Sequence, residues 1–345
     1  MKKLIFGIVA VGMAAGSGMA VMAAAPGGAP MWAWGYTAPA DPAQAPLPPA
    51  PATPAGAPDT NTQISIPGSK FQFSPAQIAA RFAPADWFPE DHPAMPEIVA
   101  HGRQSATPEV WACGFCHMPN GKGRPENADL TGLPVDYFVQ QLMDFKNDRR
   151  TTSDKRKTNT GLMINFAKGM TRDEMEAAAH YFSSIAPTPW TKVIESDTAP
   201  KTVARGGVYL TITGKDAGTE PLGNRIVETP ISAEDFEVKR NPRSGFLAYV
   251  PKGSLKKGES LVRGGITLGG KKVTACTACH GADLRGLGPV PPLAGRSPSY
   301  IARQMYDMQH GARTGAWSPL MAPVLSELTN DDLLVAAAYL GSLER

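Results

Sequence analysis

Apolar positions recur at helical spacing in two distant stretches of this chain, and the two stretches match each other. Met175, Ala178, Ala179 and Phe182 follow at intervals of three and four, as do Leu333, Ala336, Ala337 and Leu340. That spacing lays one apolar stripe along a helix. Each run opens on a threonine with an acid three positions later, Thr171 with Glu174 and Thr329 with Asp332, the signature of a capping box. Final helices are therefore predicted over 172–185 and 330–343. Earlier helices are predicted over 135–146 and 298–310. Short ones are predicted over 95–103 and 111–117 in the first stretch, and over 255–263 and 274–280 in the second.

The match extends beyond these helices. At a constant offset of 163, Leu130 corresponds to Leu293, Gly132 to Gly295, Tyr137 to Tyr300, Gln141 to Gln304, Asp144 to Asp307, Arg150 to Arg313 and Thr151 to Thr314. Five extra residues in the first copy then change the offset to 158, at which Met163 corresponds to Met321 and Tyr181 to Tyr339. A repeat of this length means two copies of one domain. The division implied is 61–186 for the first copy with an N-terminal extension, 187–252 for a connector, and 253–345 for the second copy.

Within the connector, Val208-Tyr-Leu-Thr-Ile-Thr213 reads as a strand and Phe246-Leu-Ala-Tyr-Val250 as a second; Pro221 to Pro242 reads as loop. The connector is expected to be mostly irregular, with one or two short strands, in an otherwise all-α chain. Residues 26–60 hold 10 prolines and 10 alanines, the composition of an extended, semi-rigid tether. The aromatic island Met31-Trp-Ala-Trp-Gly-Tyr36 within it is expected to pack locally against the first domain. Residues 1–25 read as a secretory signal, with Lys2 and Lys3 before an apolar run and small-residue cleavage sites at 21–25. The uncharged stretch 4–25 would also be long enough for an uncleaved membrane anchor. Either way the body is expected outside the cytoplasm, in the periplasm.

Composition narrows the function. The 345 residues are 42% apolar and 19% charged, enough for more than one core, while 35 glycines and 33 prolines imply much loop. The net charge of +3 includes Lys2 and Lys3 of the signal, and so small a charge argues against nucleic acid as a partner.

The 4 cysteines all lie in two copies of one motif, Cys113-Gly-Phe-Cys116-His117 and Cys276-Thr-Ala-Cys279-His280. C-x-x-C-H is the attachment site of a c-type haem. Thiols three positions apart project from one helical turn and reach the two vinyl groups of a porphyrin, while the adjacent histidine reaches the iron. A disulfide in so short a loop would add little stability. A redox pair of the thioredoxin kind would need a βαβ context. A four-cysteine zinc site would leave both histidines unexplained.

The second axial position sets the chemistry of a haem iron: methionine gives an electron carrier of raised potential, an open position gives catalysis or ligand binding. The repeat nominates Met163 and Met321, each eight residues before a capping threonine and each expected in a loop. Met170, Met305 and Met308 align with apolar residues of the other copy and read as core. His92, His101, His180 and His310 have no histidine counterpart and read as surface or supporting residues. The proximal imidazoles are expected to donate their other N–H to backbone carbonyls, Pro292 being nominated in the second copy. Arg150 and Arg313 read either as partners of haem propionates or as solvated helix ends.

On both C-x-x-C-H motifs, the Leu293-Ala-Gly-x-Ser-Pro-x-Tyr300 run, the Gln-x-x-x-Asp helix, the loop methionine and the final Ala-rich helix, the chain resembles the dihaem class I cytochromes c, in the manner of cytochrome c4. The resemblance covers 95–186 and 253–344. It implies two tandem class I cytochrome c domains, two covalent haem c groups and His/Met axial pairs, His117 with Met163 and His280 with Met321. It further implies electron transfer rather than enzymic turnover. The expected partners are redox proteins: a dehydrogenase or quinol-oxidising complex as donor, an oxidase or another cytochrome as acceptor. The alternatives are a cytochrome subunit of a dehydrogenase complex, and a dihaem peroxidase with one open haem. The long connector departs from the family pattern.

Overall fold

The computed structural model describes residues 29–36 and 62–345; the expected signal at 1–25 and most of the tether lie outside them. Its helices are α1 Pro75–Ile78, α2 Glu97–Ala100, α3 Cys113–His117, α4 Val135–Lys146, α5 Thr158–Gly169, α6 Arg172–Ser184, α7 Ser254–Gly264, α8 Thr277–His280, α9 Pro298–Gln309, α10 Ser318–Leu325 and α11 Asn330–Ser342. Both predicted capping boxes form: Thr171 and Glu174 close the start of α6, Thr329 and Asp332 that of α11. Each box satisfies two backbone N–H groups that a helix start would otherwise leave unpaired.

Two apolar cores follow the repeat. One gathers Val99, Leu130, Phe138, Leu142, Met175, Ala179 and Phe182 from α2, α4, α6 and the loops between them. The other gathers Val262, Leu284, Ile301, Ala302, Leu333, Ala337 and Leu340 around α7, α9 and α11. The second core is tight enough that a Cβ on Gly258 of α7 would come 2.1 Å from the Val335 carbonyl oxygen. Only glycine permits α7 to cross α11 at that depth.

The all-α expectation is corrected in the connector, which carries more strands than the one or two expected. It carries seven strands: β1 Thr191–Glu195, β2 Thr198–Pro200, β3 Thr202–Arg205, β4 Val208–Thr211, β5 Thr219–Pro221, β6 Val227–Pro230 and β7 Phe246–Val250. A three-stranded sheet runs in the order β1-β7-β6, with β1 parallel and β6 antiparallel to β7; β2 pairs with β5 and β3 with β4 as antiparallel ribbons. Only β4 and β7 carried a legible signal. The others are three to five residues long, and Pro200, Pro221 and Pro230 read as breakers. They stand at strand ends, where a missing N–H does little harm.

The aromatic island is also placed differently from expectation. Met31–Trp34 form a 3-10 turn, and Trp34 is fully buried. The island joins the core of the second copy, with Trp34 edge-on to Tyr306 at 5.3 Å, rather than that of the first alone. Its polar atoms bridge the molecule. Trp34 Nε1 donates to Thr152 Oγ1 at 3.0 Å, the Tyr36 hydroxyl to the Arg156 carbonyl at 2.9 Å, and the Tyr209 hydroxyl of β4 to the Tyr36 carbonyl at 3.0 Å. The first copy's five extra residues lie in this region, where they build part of the seat.

The two halves meet about a near-symmetric polar cluster. Arg150 and Arg313 form an antiparallel bridge. Arg150 donates to Gln141 at 3.0 Å, Gln304 at 2.8 Å and the Tyr300 hydroxyl at 3.1 Å. Arg313 donates to Gln304 at 3.3 Å, Gln141 at 2.6 Å and the Tyr137 hydroxyl at 2.9 Å. Both arginines are buried, which overturns the solvated reading of them. The phenol of Tyr300 is raised by burial but drawn down further by Arg150 and Arg313, leaving it below its ordinary value. No helix among the described residues is long and apolar enough to cross a membrane.

Candidate functional site

Each C-x-x-C-H motif folds as one helical turn. Cys113, Cys116 and His117 lie on α3; Cys276 caps α8, which carries Cys279 and His280. The four thiols are free. Immediately after each motif the chain turns back on itself, with Gly123 N donating to the His117 carbonyl and Gly286 N to the His280 carbonyl, both at 2.9 Å. These glycines have φ of 61° and 92°, and a Cβ there would strike the Ala128 and Val290 carbonyl oxygens at 2.3 and 2.7 Å.

That turn delivers a backbone carbonyl to each imidazole. His117 Nδ1 lies 2.8 Å from the Ala128 carbonyl oxygen, and His280 Nδ1 lies 2.8 Å from that of Pro291. The acceptor in the second copy is thus Pro291, one residue before the nominated Pro292, and it is the position that the 163 offset pairs with Ala128. The carbonyl fixes the proton on Nδ1 and leaves the Nε2 lone pair for a metal. Burial lowers both imidazoles below the ordinary histidine value, with the carbonyl bonds opposing it, so both rings are held neutral. Burial likewise pushes the Cys113 thiol up to about 12 and the Cys276 thiol to about 11.

Met163 and Met321 are not in loops. Met163 lies on α5 and Met321 on α10. Their surroundings favour helix: Leu162, Met163, Ala167 and Lys168 are good helix formers, and Pro319 starts α10 with a preset φ. Each methionine is half-buried and packs on the same apolar core as the first cysteine of its own copy, Met163 with Cys113 and Met321 with Cys276. In the second copy a cleft of about 390 Å³ separates the segment 271–274, just before Cys276, from Pro323, Val324 and Glu327, just after Met321.

The competing side chains are elsewhere engaged. Met170 and Met305 are buried core residues and Met308 packs against the second core. His310 stacks on Tyr306 at 3.8 Å. His92 Nε2 lies 3.2 Å from Asp86, His101 Nδ1 lies 3.0 Å from the Phe82 carbonyl, and His180 is exposed. No group of three or more His, Cys, Asp or Glu able to hold a metal ion occurs among the described residues.

The environments of the two motifs differ. Around the first, Arg240 of the connector donates to the Phe115 carbonyl and stacks over the Phe115 ring at 4.4 Å. Arg124 donates to the Phe236 carbonyl at 2.8 Å and stacks over that ring at 4.2 Å. Burial pushes the Cys116 thiol up, and Arg240, Arg124 and Arg81 oppose it. Burial and Arg124 bring Arg240 down to about 9, still protonated at neutral pH. Around the second, Cys279 is exposed, and Leu287, the counterpart of Arg124, is 63% exposed. Sequence reasoning missed the two arginines. Arg124 stands where the other copy has an apolar residue, a difference the repeat alignment contains; Arg240 has no counterpart.

The donor set fits a c-type haem in each copy: a thiol pair on one turn, a neutral buried imidazole with a free Nε2, and a thioether on the same core. No protein-family model matches the chain. It is 37% identical over 82 residues to cytochrome c-554(548) of Halomonas halodenitrificans, covering 24% of this chain and 99% of that protein. The chain belongs to the c-type cytochromes, of the dihaem, cytochrome c4-like kind. Over a longer span it is 24% identical to cytochrome c4 of Azotobacter vinelandii, across 240 residues, 67% of this chain and 84% of that protein. It is 26% identical to the thiosulfate dehydrogenase electron acceptor of Thiomonas intermedia, across 241 residues, 69% and 81% of the two chains. As a dihaem c-type cytochrome the chain carries two covalently attached haem c groups and serves electron transfer.

Proposed function

We propose that the chain is a periplasmic electron carrier with no substrate of its own, built as domains 61–186 and 253–345 about the connector 187–252. Cys113 and Cys116 would hold the first haem by thioethers, with His117 and Met163 as the protein ligands of its iron; Cys276, Cys279, His280 and Met321 would do the same for the second. The observation carrying this reading is the pair of buried imidazoles, each oriented through Nδ1 by a carbonyl at 2.8 Å. A bound haem supplies reversible one-electron chemistry. The chain's residues orient the ligands, exclude water and bury the core between the two centres. Two centres in one chain permit two-electron storage or a relay.

The donor in this reading is a dehydrogenase or quinol-oxidising complex, and the acceptor a terminal oxidase or another cytochrome. The relative that accepts electrons from thiosulfate dehydrogenase favours a dehydrogenase as donor. A stable subunit of such a complex is the second reading, favoured by the folded connector. The test is an optical spectrum of the purified protein with pyridine haemochrome quantitation. Two haems per chain, both low-spin with the methionine-to-iron band, are expected. A high-spin component, or peroxide turnover, would overturn it in favour of an open site.

A further inference from the structure

The connector does more than join the halves: it brings a cation against one haem motif and not the other. We propose that Arg240, assisted by Arg124, tunes the first haem, holding its reduction potential above that of the second. The proposal rests on the haem assignments just made.

Reduction adds one electron to a ferric iron, with no bond made or broken and no proton moved. The reduced centre carries one positive charge less, so a fixed cation nearby favours it. Charge, hydrogen bonding and solvent exposure are the protein's means of setting such a potential. Arg240 reaches the Phe115 carbonyl, next to Cys116, and lies over the Phe115 ring at 4.4 Å. It makes no ion pair among the described residues. Of the neighbouring carboxylates, Glu126 lies 3.8 Å from Arg124 and Glu237 is paired to Arg205 at 2.8 Å. Arg240 is thus a half-buried positive charge with no ion-pair partner among the described residues, less screened by water than a charge at the open surface.

The second motif lacks this arrangement. The position equivalent to Arg124 is the exposed Leu287. The cations beside it are exposed: Arg263, which donates to the Ala282 carbonyl at 2.9 Å, and Lys271 and Lys272 at its cleft, of which Lys271 is paired with Glu327. Their fields are screened by water. Cys279 itself is at the surface.

The test is a potentiometric titration of the full-length two-haem protein, followed optically and resolved into two one-electron components. Arg240→Gln is expected to lower the higher component and leave the lower one in place. The electron partition between the centres should change about tenfold, as for one charge removed at roughly 10 Å in an effective dielectric of about 20. Arg240→Lys, which keeps the charge, is expected to restore most of the difference. Leu287→Arg, at an exposed position that folding tolerates, is expected to raise the lower component by a smaller amount. An unmoved higher component in Arg240→Gln, equal movement of both components, or an unmoved lower component in Leu287→Arg would overturn the proposal. Pyridine haemochrome on every sample separates this outcome from failure of the haem assignments, which one haem or none in the parent protein would reveal.

Discussion

Around the first C-x-x-C-H motif, no residue of 110–135 is exposed, whereas around the second Thr274, Ala278, Cys279, Ala282, Asp283, Arg285, Leu287, Gly288 and Pro289 all reach the surface. The two segments are copies of one unit and share their chemistry: the same turn, the same imidazole orientation, the same half-buried methionine. What separates them is added sequence. Met118, the residue after the first motif, is buried with Trp190 and Phe246 of the connector region, while its counterpart Gly281 has no such cover. Duplication supplied two equivalent redox units, and the connector made them unequal. The contact between the halves remained nearly symmetric, since Arg150 and Arg313 bond equivalent partners.

The largest effect should come from removing one thioether pair at a time. Cys276→Ala with Cys279→Ala is expected to leave one haem per chain and a folded first half. Cys113→Ala with Cys116→Ala should also leave one haem but disturb folding more, because the covered site is packed on all sides. Haemochrome quantitation and thermal melting would check both, and equal stability losses would break the comparison.

Trp34→Ala should come next. The side chain is fully buried between the halves, and deletions of this size typically cost about 3–5 kcal/mol. Denaturant unfolding of the parent and the variant measures the loss. A loss under about 1 kcal/mol would mean that the aromatic island does not hold the halves together.

The symmetric contact offers a control of intermediate size. Gln141→Ala and Gln304→Ala each leave both buried arginines short of an acceptor, which is expected to cost about 1–3 kcal/mol, similar for the two. Unequal losses would mean that the asymmetry reaches the contact itself.

The smallest effect is a pH slope. Glu228 of β6 accepts from Ser297 at 2.7 Å and from Thr191 at 3.2 Å, tying the connector to the start of α9. Burial raises its carboxyl above the ordinary value despite those bonds. A raised folded-state value means that its contribution is fully present below the unfolded value and is lost as pH rises through the folded one. Glu228→Gln should flatten that decline in melting temperature with pH, and an unchanged slope would assign the decline to another group.

Much of this was legible in sequence because the repeat states everything twice. The capping boxes and the haem-attachment turns recur at the offset, and so does the carbonyl acceptor, Pro291 against Ala128, one residue from the nominated Pro292. What escaped had no second copy. The short strands end at prolines and alternate for too few residues to register. Trp34 lies in a proline-rich stretch whose composition points to a tether. Arg240 is one charged residue among many in a segment without periodicity, and only folding brings it to Phe115.

The most direct test of the inequality between the two sites is the rate at which cyanide binds the two haems of the ferric protein. The expected result is two phases of equal amplitude, the faster one lost when Cys276 and Cys279 are replaced. A single phase accounting for both haems, or a faster phase that survives that replacement, would contradict a covered first site and an open second one.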